Sequence, residues 1–351
     1  MKEVAIKEIC TKGSSSLKQK ELLPEGEYPV YGASGIAGYL DTFHQESTYI
    51  GIVKDGSGIG RVAFYPEKTS LIGTMQYILP KKGFNIRYIG YCLQSLDLSK
   101  YKQGAAIPHI YFRDYGERIV KVTDDENEQL SIVSRLDAAF VHIDALKANA
   151  EKQLAEARQL FQAELTECMR PKEGWEEKTL PDISENLDSI RIPVTKKNRT
   201  EGKYPYYGAS GIVDYVDDYL FDEDLLCISE DGANLLMRTY PIAFPISGKV
   251  WVNNHAHVLR FKSLITQKYV EYYFSGLKLD EYITGAAQPK LTQKALNSII
   301  INIPQKIDIQ RSMVSRLDAL SANIKKLEEV QRKTLVECDA LKQAMLREVF
   351  E

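Results

Sequence analysis

The residues in this chain best suited to chemistry come in short clusters, and most have a simpler structural use. Gly56-Ser57-Gly58-Ile59-Gly60 has the glycine spacing of a phosphate-cradling loop. It lies between two apolar runs, 49–53 and 61–65, so a tight strand-to-strand turn accounts for the glycines. His255-Ala256-His257 puts two imidazoles on one side of a strand, but with no third ligand in view a metal centre is not expected. The chain has no Asn/Asp-Pro-Pro-aromatic tetrapeptide of the kind that grips a flipped adenine, and no glycine loop ending in Lys-Ser/Thr. These features point away from an enzyme. What remains is a set of donors and acceptors at loop positions. They are Lys54, Ser57, Gly58, Arg61 and His109 in the first half, and Asn234, Arg238, Asn253, Asn254, His255 and Lys290 in the second. Arg and Lys side chains donate to guanine edges and Asn pairs with adenine. The one compact basic run, Lys196-Lys197-Asn198-Arg199, suits phosphate contact.

These candidates belong to two copies of one unit. Tyr28-Pro29-Val30-Tyr31-Gly32-Ala33-Ser34-Gly35-Ile36 returns as Tyr204-Pro205-Tyr206-Tyr207-Gly208-Ala209-Ser210-Gly211-Ile212. Gly104-Ala105-Ala106 returns as Gly285-Ala286-Ala287, and Ser134-Arg135-Leu136-Asp137-Ala138 as Ser315-Arg316-Leu317-Asp318-Ala319. A period this long means two homologous domains rather than a solenoid. If the copies read different partners, residues identical between them cannot supply the difference. Ser34, Gly35, Ser210 and Gly211 are therefore candidates for holding a phosphate through backbone N–H groups and a hydroxyl. Residues that differ at matched positions are candidates for what distinguishes the two surfaces: Lys54 against Glu230, Gly58 against Asn234, Arg61 against Met237, His109 against Lys290.

Each copy has a mixed region followed by a long helix. The first mixed region reads as strands at 49–53, 61–65 and 74–79, then a helix near 86–96. The second reads as a strand at 225–229, a turn at 230–234, strand over 249–261 and a helix near 267–277. From Ser131 apolar residues fall at Leu136, Ala139, Ile143, Leu146, Ala150, Leu154, Ala157, Leu160 and Phe161. From Ser312 they fall at Leu317, Leu320, Ile324, Leu327, Leu335, Cys338, Leu341 and Met345. Steps of three and four without Gly or Pro describe a heptad stripe on a helix about 50 Å long. Such a stripe needs a partner, and the nearest is the other helix. Gln331 and Thr334 interrupt the second stripe with polar side chains.

The bulk numbers narrow the class. The 351 residues suffice for two cores, and the formal charge is −3. By segment it is zero over 1–130, −1 over 131–170, −3 over 171–310 and +1 over 311–351. No segment is a basic tail, so any nucleic-acid affinity must come from clustering or from a partner. Five scattered cysteines without a CxxC pair indicate a reducing compartment. No apolar run is long enough for a membrane span or signal peptide, and a cytoplasmic location is expected.

Together the YPxYGASGI blocks, the Gly-Ala-Ala blocks followed by Pro108 and Pro289, and the run into each long helix resemble the specificity subunit of a type I restriction–modification system (HsdS family). That last run is Glu128-Gln129-Leu130-Ser131-Ile132-Val133-Ser134-Arg135-Leu136-Asp137 in the first half. Its counterpart is Ile303-Pro304-Gln305-Lys306, Ile309-Gln310 and Val314-Ser315-Arg316-Leu317-Asp318. The order and duplication of these blocks cover essentially the whole chain. At Ile107, opposite Gln288, the first half departs from the common pattern.

The resemblance implies an α+β fold. Two homologous target recognition domains with curved β-sheets, 1–130 and 171–310, are separated by two long helices, 131–170 and 311–351, forming an antiparallel coiled coil. It implies a non-catalytic subunit that reads a bipartite, asymmetric site on double-stranded DNA. Its implied partners are two methyltransferase (M) subunits and the restriction/translocase (R) subunits. S-adenosylmethionine, ATP and Mg²⁺ would bind those partners and not this chain. The residues alone leave a second reading open, a coiled-coil adaptor joining two protein-binding domains. A stand-alone nuclease or methyltransferase lacks the expected motifs.

Overall fold

The computed structural model describes residues 1–104, 108–285 and 287–351. Three residues of the Gly-Ala-Ala blocks, Ala105, Ala106 and Ala286, and also Ile107, lie outside the described residues. The chain divides into two units, Met1–Lys152 with Val330–Glu351, and Gln153–Glu329.

The first unit opens with β1 (Lys2–Ala5), a single turn α1 (Ile6–Ile9) and β2 (Cys10–Ser14). A hairpin follows, β3 (Tyr28–Gly32) and β4 (Gly35–Leu40), then β5 (Tyr49–Val53), β6 (Val62–Tyr65), β7 (Ser70–Leu71) and β8 (Met75–Pro80). Next come α2 (Ile86–Ser95), α3 (Phe112–Tyr115), β9 (Ile119–Val122) and the long helix α4 (Glu126–Met169). The sheets are β2-β8-β5-β6, β4-β3-β7 and β1-β9. β5 is buried at every position, because it has core on both faces. Ile50 and Ile52 join Tyr88 and Ile89 of α2, while Tyr49 and Val53 join Val30 and Leu71 of the other sheet. A strand covered on both faces reads as a continuous apolar run rather than an alternating one. Asn85 starts α2 by accepting from the Arg87 and Tyr88 N–H groups at 2.9 and 3.2 Å.

The second unit repeats the plan. It contains β10 (Trp175–Lys178), α5 (Leu180–Ile183), β11 (Ser184–Asn186), and the hairpin β12 (Glu201–Gly208) and β13 (Gly211–Val216). After β14 (Phe221–Asp222) and β15 (Leu225–Ser229) come the short α6 (Asn234–Met237), β16 (Ala243–Ile246), β17 (Lys249–Val252) and β18 (Ala256–Phe261). α7 (Leu264–Gly276), α8 (Gln293–Ser298), β19 (Ile301–Pro304) and α9 (Ile307–Phe350) complete the chain. The sheets are β11-β18-β15-β16, β13-β12-β17-β14 and β10-β19. β15 is buried throughout, like its counterpart β5. The strand expected over 249–261 is two strands in two different sheets. Asn253 breaks it by accepting the His255 N–H at 2.8 Å, a local turn that competes with the ladder.

The two long helices pair antiparallel within each unit. In the first, Lys342 pairs with Asp144, and Lys147 with Asp339 at 2.7 Å. In the second, Arg158 pairs with Glu328 at 3.1 Å and Arg316 with Glu164. On α4 the inward positions are Leu136, Ile143, Ala150 and Ala157, interleaved with Phe140, Lys147, Leu154, Phe161 and Cys168. That is a seven-residue spacing on both tracks. The expected stripe therefore shifts by one residue in places. Leu146 and Leu160 are exposed, and the neighbouring Lys147 and Phe161 take the seam. Lys147 can do so because its aliphatic stem packs inward while its ammonium reaches Asp339. Gln331 and Thr334 lie half-buried on the matching track of α9, so the seam runs through them.

Both helices start earlier than the apolar stripe suggests. Asp125 caps α4 by accepting from the Asn127 and Glu128 N–H groups at 2.9 and 3.1 Å. No helix among the described residues is long and apolar enough to cross a membrane. All five cysteines are buried free thiols, and burial pushes Cys10 up to about 12.

Candidate nucleic-acid interface

In each unit three loops converge at the end of the central strand. In the first, the β3–β4 hairpin turns at Ala33 and Ser34, with Gly32 opposite Gly35. Gly35 has φ +115°, and a Cβ there would meet nothing within 4 Å, so the backbone conformation rather than space requires glycine. The exposed Arg61 guanidinium donates to the Ala33 carbonyl and lies against Gly58, which ties the hairpin tip to the β5–β6 turn. The third loop joins through backbone. The Gly56 N–H donates to the Pro108 carbonyl at 3.1 Å, and Asp55 bridges His109. At that junction the Asp55 carboxylate pairs with Lys54 and meets Nδ1 of His109 at 2.7 Å. Ser34, Ser57 and Gly58 are exposed. A cleft of about 770 Å³ lies beside the hairpin tip, between Ser15–Gln19 and Ile72–Thr74. Ser34, Gly35, Lys54, Ser57, Gly58, Arg61 and His109 thus share one connected surface.

The second unit builds the same surface from different side chains. Gly211 has φ +117°, again with open space around it. The Ala209 carbonyl, equivalent to that of Ala33, is held by the Ser229 hydroxyl. The Gly232 N–H donates to the Pro289 carbonyl at 3.0 Å, and Asp231 bridges Lys290. Nδ1 of the exposed His255 meets the Asp231 carboxylate at 2.9 Å. The Lys290 ammonium lies 3.0 Å from Glu230. Ser210 and Asn254 are exposed on the same loops.

Behind them lies a buried charge network. Arg191 is 2.7 Å from Glu230 and 3.3 Å from Asp188, and Nδ1 of His257 is 2.6 Å from Asp188. Burial alone would raise the Asp188 carboxyl, but the hydrogen bond and charge of His257, with Arg191, hold it below the usual range. Glu230 is likewise held low, against its own burial, by Arg191, His257 and Lys290. Asp188, Glu230 and His257 lie close enough for a cation. However, Nε2 of His257 is spent on the Leu291 carbonyl at 2.8 Å, and Arg191 occupies the carboxylates. The donor set is therefore that of an ion-pair network. The two imidazoles of His255-Ala256-His257 do not share a side, because His255 precedes β18. Its ring is exposed and that of His257 is buried.

Several of the candidates read from sequence make structural contacts within the chain. Arg238 sits in the left-handed region at φ +49°. Its guanidinium donates to the carbonyls of Phe274, Ser275 and Leu277, closing the end of α7. Asn234 spends both ends of its amide on the Tyr240 backbone, at 3.1 and 2.8 Å. Asn253 is buried and forms the turn to His255. Arg199 stacks 4.2 Å over Tyr206 and pairs with Asp214 at 2.9 Å. This leaves Lys196, Lys197 and Asn198 exposed on a short 3-10 turn beside the hairpin strand that carries Asp214. Sequence reasoning missed Asp55 and Asp231, which are identical at matched positions and read there as turn residues.

The family model for the type I restriction modification DNA specificity domain matches residues 1–156 and 172–337. A putative type I restriction enzyme specificity subunit from Haemophilus influenzae is 34% identical over 145 residues, 41% of this chain and 37% of that protein. The matched part of this chain thus spans little more than a third of that relative. A putative type I specificity subunit from Mycoplasma genitalium is 23% identical over 358 residues, covering 95% of this chain and 89% of its own length. A solved chain from a type I restriction–modification system superposes with a TM-score of 0.73 at 14% identity, covering 99% of this chain and 97% of that one. That likeness gives the fold, and the two matches of the family model give the kinship. This chain, with two copies of the domain and a pair of long helices, belongs to the type I restriction–modification DNA specificity family.

Proposed function

We propose that this chain reads a bipartite DNA target and directs type I methyltransferase and restriction subunits to it, without catalysing a reaction itself. One observation supports this best: the two units keep a common backbone surface and change its side chains. The hairpins repeat in register, and the first residues after each central strand repeat their bonds: Lys54 and Glu230 to the carbonyls of Thr74 and His255, Gly56 and Gly232 to those of Pro108 and Pro289. Meanwhile Lys54 becomes Glu230 and His109 becomes Lys290, and the hairpin carbonyl held by the exposed Arg61 is held by the buried Ser229. A common frame carrying different donors and acceptors suits two readers of different half-sites.

The working partners are double-stranded DNA, two methyltransferase subunits and the restriction subunits, in the cytoplasm. Exposed apolar residues on the helices, Val141, Leu146, Val336 and Leu341 in the first unit, offer area for a partner's helices. S-adenosylmethionine, ATP and Mg²⁺ belong to those partners. With a net charge of −3 the chain alone binds DNA weakly and gains affinity with the methyltransferase. The test is methylome sequencing of cells with and without this chain. The expected result is one split motif that vanishes with the chain. An unchanged methylome would favour the adaptor reading.

A further inference from the structure

Each unit exposes a histidine anchored by a carboxylate, and the two histidines come from different loops. Asp55 and Asp231 occupy matched positions after the central strands. In the first unit the imidazole is His109, from the loop where the second unit carries Lys290. In the second it is His255, at the place where the first unit carries Thr74. The backbone confirms this second match. The Lys54 N–H donates to the Thr74 carbonyl, and the Glu230 N–H to the His255 carbonyl. Duplication alone would have left the two histidines at matched positions. The same pair has instead been built twice on one aspartate.

The geometry fixes what each ring offers. Nδ1 lies 2.7 Å from Asp55 in one unit and 2.9 Å from Asp231 in the other. An ionised carboxylate only accepts, so the proton of the neutral ring sits on Nδ1 and Nε2 carries the lone pair. Among the described residues neither Nε2 has a hydrogen-bond partner. The aspartates are mostly covered, with side chains 17% and 14% exposed, while the imidazoles are 39% and 47% exposed. The carboxylate on Nδ1 holds the ring in place and leaves Nε2 as the acceptor of the neutral ring.

We propose that His109 and His255 are base-reading side chains of the two half-sites. Each accepts, through Nε2, from the exocyclic amino group of an adenine or cytosine in the major groove, with Asp55 and Asp231 as positioning residues. This rests on the proposed reading of a bipartite target, and adds the atoms that do the reading.

The test uses the full chain assembled with its methyltransferase partner, on duplexes randomised in both half-sites, with methylation at each sequence counted. His109→Ala should lower discrimination about tenfold at one base pair of one half-site, and His255→Ala should do so only in the other. Asp55→Ala and Asp231→Ala should relax the same base pairs less. Each should add nothing when combined with its histidine variant, a non-additivity that a merely structural role would not produce. The untouched half-site in the same molecule reports that the protein is folded. Base preferences unchanged in the histidine variants would overturn the proposal. So would an equal loss on all sequences, which would assign the rings to phosphate or to the fold. A wild-type complex without any bipartite preference would instead overturn the proposed function, before any substitution is made.

Discussion

Replacing Arg238 should destabilise the second unit and leave base preference alone. The guanidinium donates to three carbonyls, those of Phe274, Ser275 and Leu277, at the end of α7. Hydrogen bonds from a charged donor are worth about 1.5–3 kcal/mol net, and bonds shared by one side chain are not additive. Arg238→Ala should therefore cost about 2–3 kcal/mol. The backbone offers an internal control. Arg238 sits at φ +49°, a conformation that costs a non-glycine residue about 1–2 kcal/mol. Arg238→Gly should lose the same bonds but recover about 1 kcal/mol, so it should be the milder variant. The assay follows from the two tryptophans, Trp175 and Trp251, both of which lie in the second unit. Their fluorescence reports that unit's unfolding. With a urea slope of about 2–3 kcal/mol/M, the alanine variant should shift the midpoint down by about 1 M. An unchanged midpoint, accompanied by altered base preference in one half-site, would refute this and return Arg238 to the DNA surface.

Other outcomes follow from the same geometry. Gly90→Ala should cost at least about 1–3 kcal/mol, because the added Cβ would stand 2.1 Å from the Phe64 ring, and thermal unfolding would measure it. Lys147→Leu should stabilise the helix pair by about 1 kcal/mol in a denaturant titration, since Lys147 holds a seam position in the heptad. Asp188 and Glu230 have folded-state pKa values lowered from 3.8 and 4.5. Their contribution is therefore present above those values and lost as pH falls through the lower folded ones. Tryptophan fluorescence should show the second unit losing stability below about pH 4, and Asp188→Asn should flatten that dependence.

What the sequence made legible was what depends on backbone and burial. The strands at 49–53 and 225–229 were plain because each is buried on both faces, which gives an uninterrupted apolar run. The long helices were plain because heptads survive single substitutions. Their seam was read one residue off in places, because Leu146 outranks Lys147 on any apolar scale. Only the partner helix shows that the lysine stem packs inward and its ammonium meets Asp339. The start of α4 was carried by Asp125 with Glu128 three residues later, a capping signal weaker to the eye than the first leucine. Base-reading candidates were the least legible. Arg238 has the right chemistry for DNA, but its hydrogen bonds go to the carbonyls of Phe274, Ser275 and Leu277, far along the chain. No local pattern encodes that.

The duplication separates what the fold needs from what can vary. Where both units make the same backbone bond, such as Gly56 to the Pro108 carbonyl and Gly232 to that of Pro289, the contact frames the surface. Where the bond is kept but its donor changes, the position tolerates chemistry. The hairpin carbonyl is held by Arg61 in one unit and by Ser229 in the other. Beneath the surface, Gln76 bonding Tyr115 at 2.6 Å stands where the second unit has His257 bonding Asp188 at 2.6 Å. The first pair is neutral and the second charged, so acid should loosen the second unit before the first. Exchanging the polar set of one unit for that of the other should carry its acid sensitivity along and leave the hairpin frame intact. Amide exchange at Gly56 and Gly232 would show it. If those amides lost protection after the exchange, the surface and its underlying network would be one device, and the halves could not vary their chemistry independently.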